Sequence, residues 1–462
     1  MADKLKSAGQ EMTGDNYKEL ETGEVGRLFW EYSLPAIVAM TAASVYNIVD
    51  RIFIGNGVGA LAISGMALTF PIMNLAIALG TLVGAGASAV VSIRMGEKRR
   101  DDAVSTLCTA LVLNIVIGTV FSILSLCFLN NILYAFGASS DTIPYARDFM
   151  QVILLGNVIT HIFFGLNSIM RSSGYPSKAM WSILLTVSVN VALAPVFIFV
   201  LKWGIRGAAL ATILSQTVGM IWVLAHFSSK TPYVRFEAEG FRLRWPVIRD
   251  IFAIGVSPFL FHSCTCLVAI IMNRQLGRQG GDLAIGAFGI INSIAALIVM
   301  IIFGFTQGMQ PIVGYNYGAG LMDRVVKAFK ITLACSTAVS VMGFLMAVLF
   351  PSQIAGAFTH DSQLMSLTSS GMRIIMIAFP LVGFQVVTSN FFQSIGKAKV
   401  AIILSLSRQV ICLIPFVLIF PLFWGLNGVW TASPASDMTS SILAAAILFY
   451  YHRKLKGSGA PA

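Results

Sequence analysis

The chain has 462 residues, of which 56% are hydrophobic and only 11% are charged, and its formal net charge is +11. A soluble domain carries roughly 25% charged residues, so this composition, with a mean hydropathy of +0.81, excludes a water-soluble globule. Apolar runs of helical length recur from Leu34 to Tyr451, and about 20 such residues cross a bilayer as a helix. The sequence therefore predicts an all-α polytopic membrane protein.

Twelve apolar stretches are predicted to be transmembrane helices, centred near residues 43, 75, 115, 157, 190, 216, 261, 298, 339, 381, 411 and 438. The longest polar interruption, SKTPYVRFEAEGFRLRWPVIR, divides them into two groups of six. The predicted domains are an N-terminal tail (1–27), an N-lobe (28–228), a linker (229–249), a C-lobe (250–451) and a C-terminal tail (452–462). The polar N-terminus lacks a cleavable signal-peptide pattern, so the first helix is expected to serve as the insertion signal.

Positive charge is distributed unevenly over the predicted loops. When the loops are assigned to alternate sides, most of the 31 Lys and Arg residues fall on the side of both termini and the linker. Cytoplasmic loops carry an excess of Lys and Arg, so the chain is predicted to lie in the plasma (inner) membrane with both termini in the cytoplasm. Charge spread in this way sets orientation and does not indicate a nucleic-acid partner.

The two groups of helices repeat one pattern of residues at an almost constant offset. The matching pairs are Pro35 and Pro258, Asp50 and Asn273, Gly86 and Gly308, Gly96 and Gly318, Gly174 and Gly396, Gly204 and Gly425, and Ser215 and Ser436. Because each group has an even number of helices, both share one orientation, and the sequence predicts two six-helix lobes related by a parallel pseudo-two-fold repeat. Such repeats are typical of transporters, with the substrate between lobes that rock against each other.

Two acids lie inside predicted helices, where ionisable groups are costly and become functional candidates. Asp50 lies in the outer half of the first helix, and Asp437 lies near the middle of the twelfth. An alternative for Asp50 is a helix-end charge paired with Arg51. Adjacent helical residues point about 100° apart, so a coupling role is favoured. For Asp437, a buried ion pair with Arg408 on the neighbouring helix and a protonatable carboxyl group both stay open.

A buried carboxylate can exchange a proton between the two faces of the membrane or collect Na⁺ with other oxygen ligands. Asn190 and Thr212 are candidate oxygen donors for Asp50, with ordinary helix packing as the alternative. Further polar candidates for the cavity between the lobes are Asn47, Asn273, Gln216, Gln307 and Gln385. The scattered His and Cys residues are interpreted as structural, no cofactor or metal is expected, and the motifs of hydrolases, metalloproteases and P-loop enzymes are missing from the sequence.

Four segments resemble the multidrug and toxic compound extrusion (MATE) family, most of all its MepA-like bacterial branch. They are VYNIVDRIFIGNGVG (45–59), GAGASAVVSIRMGE (84–97), RSSGYPSKAM (171–180) and QSIGKAKVA (393–401). The resemblance extends over about residues 25 to 450. It implies an antiporter in the lipid bilayer that exports cationic amphiphilic small molecules by alternating access, driven by inward H⁺ or Na⁺. A transporter with two lobes can work as a monomer, which is the expected state here.

The resemblance also implies a cation site in the N-lobe. Related prokaryotic members combine an Asp in the first helix with Asn-x-x-x-Asp in the fifth and Thr in the sixth, and Asp50, Asn190 and Thr212 match three of these positions. The second acid is replaced by Ala194, which weakens a Na⁺ site and favours H⁺. A flippase for lipid-linked or anionic precursors is the alternative, and it requires a strongly cationic cavity. A membrane enzyme or receptor is a third reading, which the missing motifs disfavour.

Overall fold

The computed structural model describes residues 16–136, 139–358 and 361–457, and every regular element among them is helical. Eleven of the described helices are long and apolar enough to cross a membrane. The membrane helices of the N-lobe are α1 (Val25–Gly57), α2 (Ala60–Gly96), α3 (Arg100–Cys127), α4 (Ile143–Ser172), α5 (Pro176–Pro195) and α6 (Gly204–Ser228). A π-helical turn, Val196–Val200, extends α5.

The C-lobe repeats this arrangement. Its helices are α7 (Trp245–Gly281), α8 (Leu283–Gly318), α9 (Met322–Leu349), α10 (Ser362–Ser394), α11 (Ala398–Ile419) and α12 (Pro421–Gly457). The last helix is more polar than the others because it carries the run TASPASDMTSS at 431–441, yet it completes the predicted set of twelve. Short helices of matching position, Leu129–Ala135 and Pro351–Gly356, follow the third helix of each lobe.

Backbone geometry confirms the repeat. Gly204 and Gly425, a pair matched in the sequence, both have positive φ, 57° and 55°. Left-handed backbone is open to Gly because it has no Cβ atom. Gly204 begins α6, and Gly425 breaks α12 a few residues after Pro421, so the backbone turns at the same residue of the repeat in each lobe. Two lobes of six helices related by a parallel pseudo-two-fold repeat are therefore confirmed.

The lobes approach each other at a seam near the ends of α2 and α8. A Cβ atom added to Gly96 would collide with the carbonyl oxygen of Tyr315, and one added to Gly318 would collide with that of Ile93. Gly96 and Gly318 are repeat partners, and Tyr315 follows Ile93 at the same offset, so the two contacts are related by the pseudo-two-fold axis. Small residues allow helix backbones to approach closely in membranes, and here they allow a close contact between the lobes.

A short helix before α1, Asn16–Thr22, packs against the C-lobe. Leu20 in this helix is fully buried. Arg324 Nη2 donates to the carbonyl oxygens of Leu20 (3.0 Å) and Gly23 (2.6 Å), and Asn316 Nδ2 donates to the same Leu20 oxygen at 3.0 Å. The C-lobe thus binds the last carbonyl groups of this helix, which lies within the predicted N-terminal tail.

The linker between the lobes is attached to the N-lobe. Arg100 Nε donates to the Tyr233 carbonyl oxygen at 2.9 Å, and its two terminal nitrogens donate to the Glu237 carboxylate. These hydrogen bonds hold the pKa of the Glu237 carboxyl group below its usual range. α7 begins at Trp245, with Pro246 in its first turn, where the missing N–H of proline is tolerated; this start lies inside the predicted linker and before residue 250.

Candidate coupling site

The structure brings the three predicted N-lobe residues into neighbouring helices of one bundle. Asp50 lies on α1, Asn190 on α5 and Thr212 on α6, with 7%, 2% and 9% of their surfaces exposed. Asn190 Nδ2 donates to Thr212 Oγ1 at 3.3 Å. Thr212 Oγ1 itself lies 3.2 Å from the Ala208 carbonyl oxygen, to which it can donate.

Tyr46 joins these residues and was missed by the sequence analysis. Its hydroxyl group lies 3.0 Å from Thr212 Oγ1, and Asn190 Nδ2 lies 3.5 Å from the same hydroxyl group. Tyr46 precedes Asp50 by four residues, so both side chains lie on one face of α1, close enough to interact electrostatically. This four-residue spacing was the sequence feature that could have identified Tyr46. We call Tyr46, Asp50, Asn190 and Thr212 the N-lobe cluster.

Position 194, where the resemblance to the MATE family implies a second acid, is Ala194 in this chain. It is fully buried and belongs to an apolar cluster that includes Ile54, Ile198 and Ala208. A charged group placed among these side chains would lose its hydration. The surroundings of position 194 therefore match its apolar side chain, and Asp50 is the acid that the N-lobe cluster contains.

The C-lobe holds its acid in a different setting. Arg408 Nε donates to Asp437 Oδ1 at 2.7 Å, and the side chains are 21% and 9% exposed. Arg408 lies in a π-helical turn of α11, Ser407–Leu413, and its carbonyl oxygen accepts a hydrogen bond of 2.7 Å from Ser436 Oγ. Of the two arrangements that the sequence left open for Asp437, the structure contains the ion pair.

The other polar candidates are dispersed. Gln216 accepts a hydrogen bond from Thr160 on α4. Gln385 is buried and donates to the Leu404 carbonyl oxygen at 3.0 Å, and Gln307 reaches across the seam to Met40 Sδ at 3.2 Å.

The remaining two candidates are Asn273 and Asn47. Asn273 on α7 is exposed. Asn47 lies on α1, but its side chain is outside the part of the chain that the structure describes. The nine predicted residues whose side chains are described do not form one site. They divide into three members of the N-lobe cluster, the pair in the C-lobe, and polar groups that lie apart from both.

Comparison with known proteins gives the family. A sequence model described as MatE matches residues 35–196 and 258–419 of this chain. The chain belongs to the MATE family. The two matched ranges are displaced by one offset, 223 residues, which is also the separation of Pro35 and Pro258 in the sequence repeat.

Curated relatives and solved structures agree with this membership. The chain is 25% identical over 437 residues to the multidrug export protein MepA of Staphylococcus haemolyticus (strain JCSC1435), covering 94% of this chain and 96% of that protein. It is 26% identical over 441 residues to MepA of Staphylococcus aureus (strain NCTC 8325 / PS 47), covering 94% and 95%.

A solved outward-facing multidrug resistance MATE transporter of the MOP superfamily superposes with a TM-score of 0.89 at 25% identity, covering 96% of this chain and 98% of that one. As a MATE protein, the chain is a multi-pass membrane transporter of the multidrug export family and not an enzyme.

Proposed function

We propose that this MATE transporter is an H⁺-coupled antiporter that exports cationic amphiphilic compounds, and that Asp50 carries the coupling proton. The observation that carries the proposal is the composition of the N-lobe cluster. Its one carboxyl group is buried beside a phenol, an amide and a hydroxyl group, and the position of a second acid is the buried Ala194.

The hydrogen bonds of the cluster favour a proton over Na⁺. A sodium site needs several oxygen atoms that direct lone pairs at the ion, as in other oxygen-ligated cation sites. Asn190 instead directs its amide nitrogen, a donor, at Thr212 and Tyr46, and Thr212 lies within donor distance of a backbone carbonyl group. These groups already bond to one another, so a protonated, neutral Asp50 suits the cluster better than a bound metal ion.

Orientation and partners complete the proposal. The excess of Lys and Arg on the face of the linker supports cytoplasmic termini in a plasma (inner) membrane. The substrate would bind between the lobes of a monomer, and the proton would bind in the N-lobe.

A flippase needs net positive charge in the central cavity. Arg408, the intramembrane arginine predicted from the sequence, is neutralised by Asp437. This pairing supports the antiporter over the flippase.

The test is efflux of a fluorescent organic cation from proteoliposomes under an imposed H⁺ gradient or an imposed Na⁺ gradient. We expect the H⁺ gradient alone to drive transport by the wild type and neither gradient to drive it in Asp50→Asn. Transport by wild type on Na⁺ alone, or normal transport by Asp50→Asn, would contradict the proposal. Asp148, a half-buried acid near the start of α4 that pairs with Arg206, gives the control, since Asp148→Asn should transport normally.

A further inference from the structure

A cleft of about 220 Å³ opens where the linker enters α7, beside the ends of α2 and α3. Three guanidinium groups, those of Arg94, Arg99 and Arg244, line it together with the apolar side chains of Val90 and Val247. The cleft lies on the face that carries the linker, and it is distinct from the N-lobe cluster. The carboxylates of Asp102 and Asp250 also line it, so its wall combines charged and apolar groups.

The rim of the cleft has the same mixed character. Trp245 is 72% exposed and Leu243 is 53% exposed. Arg244, which lies between them, exposes 54% of its side chain, and Arg249, one turn further along α7, exposes 71%. Tryptophan is enriched where a membrane meets water, and arginines beside exposed apolar residues attract anionic lipids.

Acidic residues around the cleft neutralise part of its charge. Arg94 pairs with Asp250 at 3.0 Å, and Arg244 pairs with Asp102 at 3.2 Å. Arg99 pairs with Asp102 as well, at 2.6 Å. Glu97 pairs with both Arg94, at 2.9 Å, and Arg99, at 3.2 Å.

Positive charge that is not taken up in close ion pairs lies on the exposed rim. Arg249 is 71% exposed and lies 3.8 Å from Asp250, which already pairs with Arg94 at 3.0 Å. The rim therefore offers a guanidinium group that an anionic group can bind.

We propose that the cleft binds the phosphate group of an anionic phospholipid from the adjoining leaflet. The guanidinium groups of Arg94, Arg99 and Arg244 would donate to the phosphate oxygens, a geometry that arginine favours. The acyl chains would run along Val90 and Val247, with Trp245 at the level of the glycerol group.

The apolar wall and Trp245 favour a lipid over free phosphate, which would gain nothing from them. The site itself does not depend on the proposed coupling ion; the proposed orientation only assigns it to the cytoplasmic leaflet.

Tryptophan quenching by brominated lipids tests this site directly. The purified full-length protein is titrated in mixed micelles with brominated phosphatidylglycerol or brominated phosphatidylcholine, and Trp245→Phe identifies the part of the signal that comes from Trp245. We expect brominated phosphatidylglycerol to quench this part at a several-fold lower mole fraction. The preference should disappear in the double variant Arg244→Gln, Arg249→Gln.

The matched control is Arg206→Gln. Arg206 is 62% exposed and forms an ion pair of 2.7 Å with Asp148, much as Arg244 does with Asp102, but it lies in another polar cleft beside the first turn of α4. The control should keep the lipid preference. Equal quenching by both lipids, or a preference that survives the double variant, would overturn the proposal.

Two further arms separate the remaining explanations. Relief of quenching by millimolar inorganic phosphate would assign the arginines to a water-soluble anion and would also overturn the lipid proposal. If the double variant does not fold, Arg249→Gln alone replaces it, because Arg249 is 71% exposed and its distance to Asp250 is 3.8 Å. This single variant is expected to weaken the preference for phosphatidylglycerol, and an unchanged preference would count against the site.

Discussion

The two lobes share one fold but treat their buried acids in opposite ways. In the N-lobe, Asp50 lies beside neutral groups that hydrogen-bond to one another. In the C-lobe, Asp437 accepts a charge-assisted hydrogen bond of 2.7 Å from Arg408. The structure thus places one buried acid among neutral hydrogen-bonding groups and the other in contact with an arginine. The comparison teaches that a duplicated fold can give the acids of its two halves different surroundings, and the proposed proton coupling is assigned to the N-lobe.

Replacing the buried acids should produce the largest difference between the two lobes in a transport assay. Asp50→Asn is expected to reduce H⁺-driven efflux to the rate of protein-free vesicles, because the N-lobe cluster then has no carboxyl group. The double variant Arg408→Met, Asp437→Leu should keep substantial efflux, because it removes both charges together. Efflux assays in proteoliposomes measure both. Loss of coupling in the double variant with Asp50 intact would show that the C-lobe pair is part of the proton path.

Breaking the C-lobe pair on one side should cost stability. Arg408→Gln and Asp437→Asn each leave one buried charge without its partner, which is expected to cost about 3–5 kcal/mol. The combined variant Arg408→Gln, Asp437→Asn should have a free energy of unfolding far closer to that of the wild type. Denaturant unfolding in detergent, read as a double-mutant cycle, measures the coupling. Additive effects of the two single variants would contradict a direct interaction.

Removing the Tyr46 hydroxyl group should have a smaller effect, confined to the N-lobe. Tyr46→Phe loses hydrogen bonds to Thr212 and Asn190, and a net loss of about 1 kcal/mol is typical for one such bond. We expect efflux to persist with a displaced pH profile, because the surroundings of Asp50 change and its carboxyl group does not. An identical pH profile would show that Tyr46 contributes only packing. Tyr145→Phe, on α4, is the control, and its profile should match the wild type.

The smallest effect concerns the linker. It also shows how an ion pair outside the N-lobe cluster responds to acid pH. Arg100 lowers the pKa of Glu237, so this ion pair adds stability above the usual pKa of glutamate and loses it as the pH falls through the lowered value. Limited proteolysis of the linker should therefore speed up only in strongly acidic buffer. In Glu237→Gln the linker should be cleaved faster at neutral pH, with little further change on acidification. Equal cleavage of both proteins at every pH would show that the pair does not fasten the linker.

Most of the architecture could be predicted from the sequence because hydrophobic length and the repeat constrain it strongly. Twelve apolar stretches and the spacing of pairs such as Gly204 and Gly425 indicated two parallel six-helix lobes. The candidate site was harder. Asp50 was identified because a charge in a membrane helix is costly, but Tyr46 carries no such signal. A tyrosine in an apolar helix is ordinary until its neighbours in space are known.

The remaining gaps have the same physical origin. The depth of Arg408 and Asp437 suggested a pair, yet only side-chain geometry distinguishes an ion pair from a protonatable acid. The attachment of the linker depends on Arg100, which is distant in sequence from Tyr233 and Glu237. The helix Asn16–Thr22 is too polar and short to stand out in hydropathy, and the C-lobe groups that bind it lie some 300 residues away along the chain.

The contacts of Gly96 with Tyr315 and of Gly318 with Ile93 have a mechanical consequence. At both glycines the nearest atoms of the other lobe belong to the backbone, so a side chain at either position would push the two lobes apart. These contacts lie at the ends of α2 and α8, far from the opposite ends of the helices. A turn of about 10° about them would move those opposite ends, about 30 Å away, by roughly 5 Å. A methyl group at either glycine is therefore expected to change the angle between the lobes.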